Sequence, residues 1–415
     1  MYLKFYRLFI FILIFSMACQ SLSIEDDSGE SEIVVDEETG IVLWGDINND
    51  YGHAVVQTAD GGYAVAGTQY STPNQHDLYL IKFDPTGQQE GTEFFLDKEG
   101  FDNQANDLRV TQDGGFVLVG NSFNGSFEEA WVVKLNASMI SEWDSTYTYP
   151  ASTGNNVGNS IEQTDDGGYI VCGSAFLDND YEIWLMKLNS DGTKAWDKVF
   201  DTDASNIYHD YGNYAHQTDD GGYILVGSSF DSDQNYDIRL IKTDQNGDSV
   251  WDSTYSRASG YYSDKGLYVQ QSDDGQRYII AGTTSSIDGN QSDIYIFKTD
   301  YQGTVIDSKT FGSSFHDEAK NIRQTSDGGF IVIGTKFSDQ TLEDVYAIKI
   351  NIDLVEEWSS IYGYGNSDIG TSIQQTSDGG YIMTGSSYDP EKQFEIILIK
   401  TDQDGDTEIL GSTNN

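Results

Sequence analysis

The sequence predicts an all-β fold, a seven-bladed β-propeller of four-stranded antiparallel blades, on three observations. An Asp-Gly pair recurs in register at Asp60, Asp113, Asp166, Asp220, Asp274, Asp327 and Asp378, with spacings of 53, 53, 54, 54, 53 and 51 residues. Each copy divides into short apolar runs separated by turn residues, with no sustained helical spacing. Finally, Gly40-Ile-Val-Leu-Trp44 has the Gly-x-x-x-Trp spacing of Gly247-Asp-Ser-Val-Trp251, so a spare strand precedes the first copy. Repeats of this length stack into rings or open solenoids. A spare strand that completes the last blade and leaves no sheet edge favours the ring. The tail from Asp406 to Leu410 competes for the same slot, so either end could be the clasp.

Within a copy, the first strand ends at Gln-Thr, as in Gln57-Thr58 and Gln163-Thr164. Asp-Gly-Gly, or Asp-Gly-Gln in the fifth copy, then supplies the positive φ that a tight hairpin demands. The second strand is an apolar run such as Tyr223 to Gly227, and the third is of the type Arg239 to Thr243. A fourth strand carries Trp143, Trp196, Trp251 or Trp358 in several copies. Runs apolar on both faces suit sheets stacked between other sheets.

Residues 1–18 read as a signal peptide: Lys4 and Arg7 precede the apolar run Leu8 to Phe15, which is too short to span a bilayer comfortably. Ser16-Met17-Ala18-Cys19 resembles the lipobox of bacterial lipoproteins, with Ser16 where Leu is usual. The resemblance implies acylation of Cys19; an ordinary signal peptidase would cut the same bond. Residues 19–39 carry eight acids and no base, which predicts a disordered tether before a propeller at 40–415. If Cys19 is acylated, Cys172 has no disulfide partner and reads as a buried inert thiol. The net charge of −46 argues against nucleic-acid binding and against charge-driven docking on anionic membranes.

The repeat resembles the Asp-Gly-Gly-Tyr-Ile-Val-x-Gly repeats of β-propeller surface lipoproteins of Bacteroidota-type bacteria, as in Asp378-Gly-Gly-Tyr-Ile-Met-Thr-Gly385. It is neither the WD40 pattern nor kelch, where the paired Gly follows the apolar strand. The resemblance and the acidic stretch after Cys19 imply an outer-membrane lipoprotein, exposed at the cell surface and attached to the membrane only through its lipid. Most of that family has no assigned biochemical activity.

Polar residues present in every copy read as scaffold. The third-strand lysines, Lys82, Lys134, Lys187, Lys242, Lys298, Lys349 and Lys400, form such a set. Ten residues before each anchor stands Asp50, Asn103, Asn156, Asp210, Asp264, Asp317 or Asp368. An Asx side chain bonding its own loop backbone explains these. Alternatively, Asp50, Asp210, Asp264, Asp317 and Asp368 could form an anionic ring that holds Ca²⁺. Function is expected where the copies differ, on the loops before the first and third strands. There Tyr208, His209, Tyr211, Tyr261 and Tyr262 form a copy-specific patch suited to stacking on sugar rings. No metal-ligand His spacing, Gly-x-Ser-x-Gly elbow or phosphate-cradling loop is present. The expected role is binding or scaffolding of a glycan or protein by a monomeric chain, without cofactor and without catalysis. The rival class is a hydrolase acting on polysaccharide.

Overall fold

In a computed structural model the described residues are 32–410, apart from 37–38, 47, 73–74, 92, 97–101, 201–208, 231–234, 258–262, 273, 286–291, 314, 339–341, 364–366 and 409. They form seven antiparallel sheets, six of four strands and one of five. Each sheet is a blade, and its first strand is innermost. These inner strands are Asp50–Gln57, Asn103–Val110, Asn156–Gln163, Asp210–Gln217, Asp264–Gln271, Asp317–Gln324 and Asp368–Gln375. Every inner strand contacts those of both neighbouring blades, and the seventh contacts the first, which closes the ring. Second and third strands are buried on both faces, as in Tyr223–Phe230, because blades cover them on either side.

The repeated Asp-Gly-Gly turn builds each blade. In blade 4, Asp220 Oδ1 accepts from the Thr218 hydroxyl (2.6 Å) and the Gly222 amide (3.0 Å), while Lys242 reaches Oδ2 at 2.9 Å. Only the first glycine has positive φ: 78° at Gly221. The second is needed for a close approach, since a Cβ at Gly222 would stand 2.2 Å from the Thr243 carbonyl oxygen. The third-strand lysine therefore pairs with the turn aspartate, in every blade except the fifth. There Gln276 replaces the second glycine and the turn is a residue longer, closing from the Ser272 amide to the Arg277 carbonyl. Asp274 pairs with Arg277 instead, and Lys298 donates to the Ile352 carbonyl.

Blades are joined by two further devices. Gln57, Gln163, Gln217, Gln271 and Gln375 each accept, at 2.7–2.8 Å, a backbone N–H from the turn of the preceding blade. The fourth-strand tryptophans pack against the tyrosine that opens the next blade's second strand, edge-on for Trp143, Trp196 (5.9 Å between centroids to Tyr223) and Trp358, and tilted by 55° for Trp251. Each also fills the space beside a positive-φ glycine of that blade: a Cβ on Gly247 would meet Trp196 at 2.6 Å.

Both ends of the chain close the ring. The tail supplies the first rung of the last blade's outer strand, where Glu408 N donates to Lys400 O at 2.9 Å. The N-terminal strand β2 (Val42–Gly45) supplies the rest, pairing Val42, Leu43 and Trp44 with Leu398, Ile397 and Ile396. The spacing match with Trp251 gives the correct strand but the wrong register. Trp251 pairs with the third-strand lysine Lys242, whereas Trp44 sits where Tyr255 does, four residues further along. Trp44 is consequently buried rather than half-exposed.

The tether boundary also moves. Glu32–Val35, expected to lie in the acidic spacer, forms β1, a fifth strand pairing with β2. Ile33, Val34 and Val35 pack against the cores on either side of the last blade, which outweighs their acidic surroundings. The signal peptide and Cys19 lie outside the described residues. Cys172 is fully buried, and burial pushes its thiol up to about 12.

Candidate functional site

Each inner strand begins at one mouth of the channel, beside the loops before the first and third strands, and ends at the other, beside the Asp-Gly turns. The Asx residues that start these strands are all fully buried. They hold the loop descending from the preceding blade: Asp50 Oδ2 accepts from Asp46 N (3.0 Å), Asn156 Oδ1 from Tyr149 N (3.0 Å), and Asp264 Oδ2 from Arg257 N (2.8 Å). Asp317 accepts from Ser313 N. Asp210 is ion-paired with the buried Arg239 at 2.6 Å, and Arg239 also grips Asp252 through two nitrogens. Asp368 likewise starts its blade, with Oδ2 2.9 Å from where a Gly363 Cβ would stand. Among the described residues, no three His, Cys, Asp or Glu side chains gather as a metal-holding group.

Tyr208, Tyr261 and Tyr262 lie outside the described residues. His209 and Tyr211 are brought together, with ring centroids 6.1 Å apart. They join a strip of half-buried rings across blades 3 and 4. Phe176, Tyr181, Tyr211, Tyr236 and Phe230 follow one another at centroid separations of 5.1, 5.4, 6.1 and 5.0 Å. The strip is built by cross-strand pairs, Phe176 opposite Tyr181 and Phe230 opposite Tyr236, with Tyr211 between them. Tyr181 and Tyr236 were not singled out in the sequence, although each follows the second-strand aromatic across its hairpin. His209 Nδ1 lies 2.5 Å from Asp180 Oδ1 and 3.3 Å from the Tyr181 backbone N–H, contacts that fix the ring. A second aromatic group, Tyr388, Phe394, Tyr51, Tyr70 and His76, spans blades 7 and 1 on the same face.

The opposite end of the channel holds a cavity of about 270 Å³. Its lining includes Arg109, Glu162, His216, Gln270 and Arg323, which stand at one repeat position, four residues before the anchor, in blades 2 to 6. Two residues earlier, Tyr214 and Tyr268 lie against each other with centroids 4.0 Å apart, rings tilted by 35° and hydroxyls at 3.2 Å. Arg109 donates to Asp107 (2.6 Å) and to the Tyr214 hydroxyl (2.9 Å), and His216 bonds Glu162 at 2.9 Å. Burial, and then the neighbouring Arg109 charge, holds the Arg323 guanidinium down to about 10. Sequence reasoning missed this group. The signal was available, because this position varies from copy to copy (Val56, Arg109, Glu162, His216, Gln270, Arg323, Gln374) while its neighbours repeat.

No protein-family model matches the chain, and no curated protein is similar to it in sequence. Solved structures share its fold at low identity. A polysaccharide lyase superposes with a TM-score of 0.55 at 12% identity, covering 85% of this chain and 90% of that one. The β-propeller domain of the Trilobed protease from Pyrococcus furiosus gives 0.50 at 12% identity, with 88% and 97% covered. Puromycin hydrolase gives 0.53 at 11% identity, covering 86% of this chain, which spans 54% of that protein. These similarities show the β-propeller fold, whose seven blades are the seven sheets described above.

Proposed function

We propose that this chain is a surface-displayed binding module, anchored at the outer membrane by acylated Cys19, whose loop face recognises a glycan or a protein carrying one. The observation that supports this reading is the strip of five rings on blades 3 and 4. Its rings are half-buried, with neighbouring centroids 5.0–6.1 Å apart, and aromatic side chains of this kind suit contact with the apolar faces of sugars. His209, held by Asp180, stands beside it to bond hydroxyl groups. The acidic surface keeps such a module soluble and opposes non-specific adhesion to anionic envelopes.

A glycan array probed with the full chain tests this proposal, followed by a hydrolysis assay on each hit. Binding without turnover, weakened about tenfold or more in Tyr211→Ala, is the expected result. Turnover would instead indicate a hydrolase, and binding unaffected by Tyr211→Ala would remove the strip from the site. Cys19→Ser should abolish metabolic labelling with a fatty-acid analogue.

A further inference from the structure

We propose that the cavity at the turn-side mouth of the channel is a binding site for a small polyhydroxylated carboxylate, of the size and chemistry of a monosaccharide acid. It is separate from the loop face, so either reading can fail without the other.

The acidic composition makes this cavity unusual. The chain has six arginines, and two of them, Arg109 and Arg323, line this one space. Arg109 is paired with Asp107, and Glu162 with His216. Among the described residues Arg323 makes no ion pair, and its buried Nη1 has no hydrogen-bond partner. Its guanidinium lies 4.5 Å from the Tyr268 ring centroid and 5.8 Å from that of Tyr214, so it is held in place by this tyrosine pair. Leaving a buried donor unsatisfied is costly, and more so when the group is charged. Such a group calls for an explanation, and an absent anionic partner is the one that fits an open cavity.

A second orphan sharpens the ligand class. Gln324 Oε1, on the same cavity wall, has no donor among the described residues, whereas Gln57, Gln163, Gln217, Gln271 and Gln375 at its repeat position accept a turn amide of the preceding blade. A ligand that satisfies both groups brings an anionic acceptor to Arg323 and a hydroxyl donor to Gln324. A planar carboxylate matches the guanidinium fork. Glu162 on the facing wall repels a dianion but accepts from a hydroxyl, which favours a monocarboxylate over phosphate. The volume, about 270 Å³, lies just below the range typical for drug-sized ligands, about 300–1,000 Å³, and so suits a single sugar acid.

Calorimetric titration of the full chain with glucuronate, galacturonate and gluconate, against glucose and inorganic phosphate, tests the assignment. At least one acid is expected to bind, with glucose silent and phosphate at least tenfold weaker. Arg323→Met should lose that binding at least tenfold while its melting temperature without ligand stays level or rises, because a buried unpaired charge has been removed. A lower melting temperature in Arg323→Met would make the arginine part of the scaffold and overturn the site. So would silence of all three acids at millimolar concentration, or equal binding of phosphate. Gln324→Leu provides the second variant, expected to weaken the acid without unfolding the blade; unchanged affinity there would refute the hydroxyl contact and with it the ligand class.

Discussion

At the scale of single residues, the same side-chain type does opposite electrostatic work at the two ends of an inner strand. The turn aspartates Asp60, Asp113, Asp166 and Asp327 are held down to about 2, against an ordinary 3.8, by hydrogen bonds and their lysines overcoming modest burial. They contribute stability above the ordinary carboxylate value that is lost as pH falls towards 2. Asp50 is the reverse. Burial, with repulsion from Asp46 and Glu395, pushes its carboxyl up to about 8. The stability linked to that proton is full below about 3.8 and is lost as pH rises towards 8. Asn103 and Asn156 occupy the same position in other blades, so Asp50→Asn should fold normally. Unfolding measured from pH 4 to 8 should show a flatter pH dependence in the variant and a higher melting temperature at pH 8. An unchanged slope would show that Asp50 is ionised in the folded protein.

At the scale of the strand and turn, much was legible because the information is local. The Asp-Gly pairs fix seven hairpins, and apolar runs bounded by turn residues fix the second and third strands. What the turn glycines do was only half legible. Positive φ at Gly221 follows from turn chemistry, whereas the demand at Gly222 comes from a carbonyl on the third strand, 21 residues away, which no local pattern reveals. Gly222→Ala should therefore cost roughly 1–3 kcal/mol through steric overlap, read as a fall in the denaturant midpoint with the slope kept. Full stability in that variant would mean that the turn relaxes freely. Trp44 shows the same limit. Its spacing identifies a fourth strand, but register is set by the partner's carbonyls and by Leu410 and the other residues around it.

For the whole molecule, closure depends on both termini and on bonds between the last and first blades. Ser377 N donates to Gln57 Oε1 (2.8 Å) and the Thr371 hydroxyl to Gly52 O (2.8 Å). Trp44→Ala empties a fully buried site in the closing strand and should cost about 3–5 kcal/mol. Limited proteolysis should then release the last blade first; uniform loss of all fragments would mean that closure is not the weak seam. Neither functional face was fully legible in the sequence. The strip on blades 3 and 4 needs Tyr181 and Tyr236, placed by cross-strand pairing, and the axial cavity needs five equivalent positions brought around one axis by the ring. The most direct measurement is the affinity of the full chain for its best array glycan, compared with Tyr211→Ala and Arg323→Met. The account predicts a loss of at least tenfold in the first variant and none in the second. Equal affinity across all three proteins would contradict recognition by the loop face.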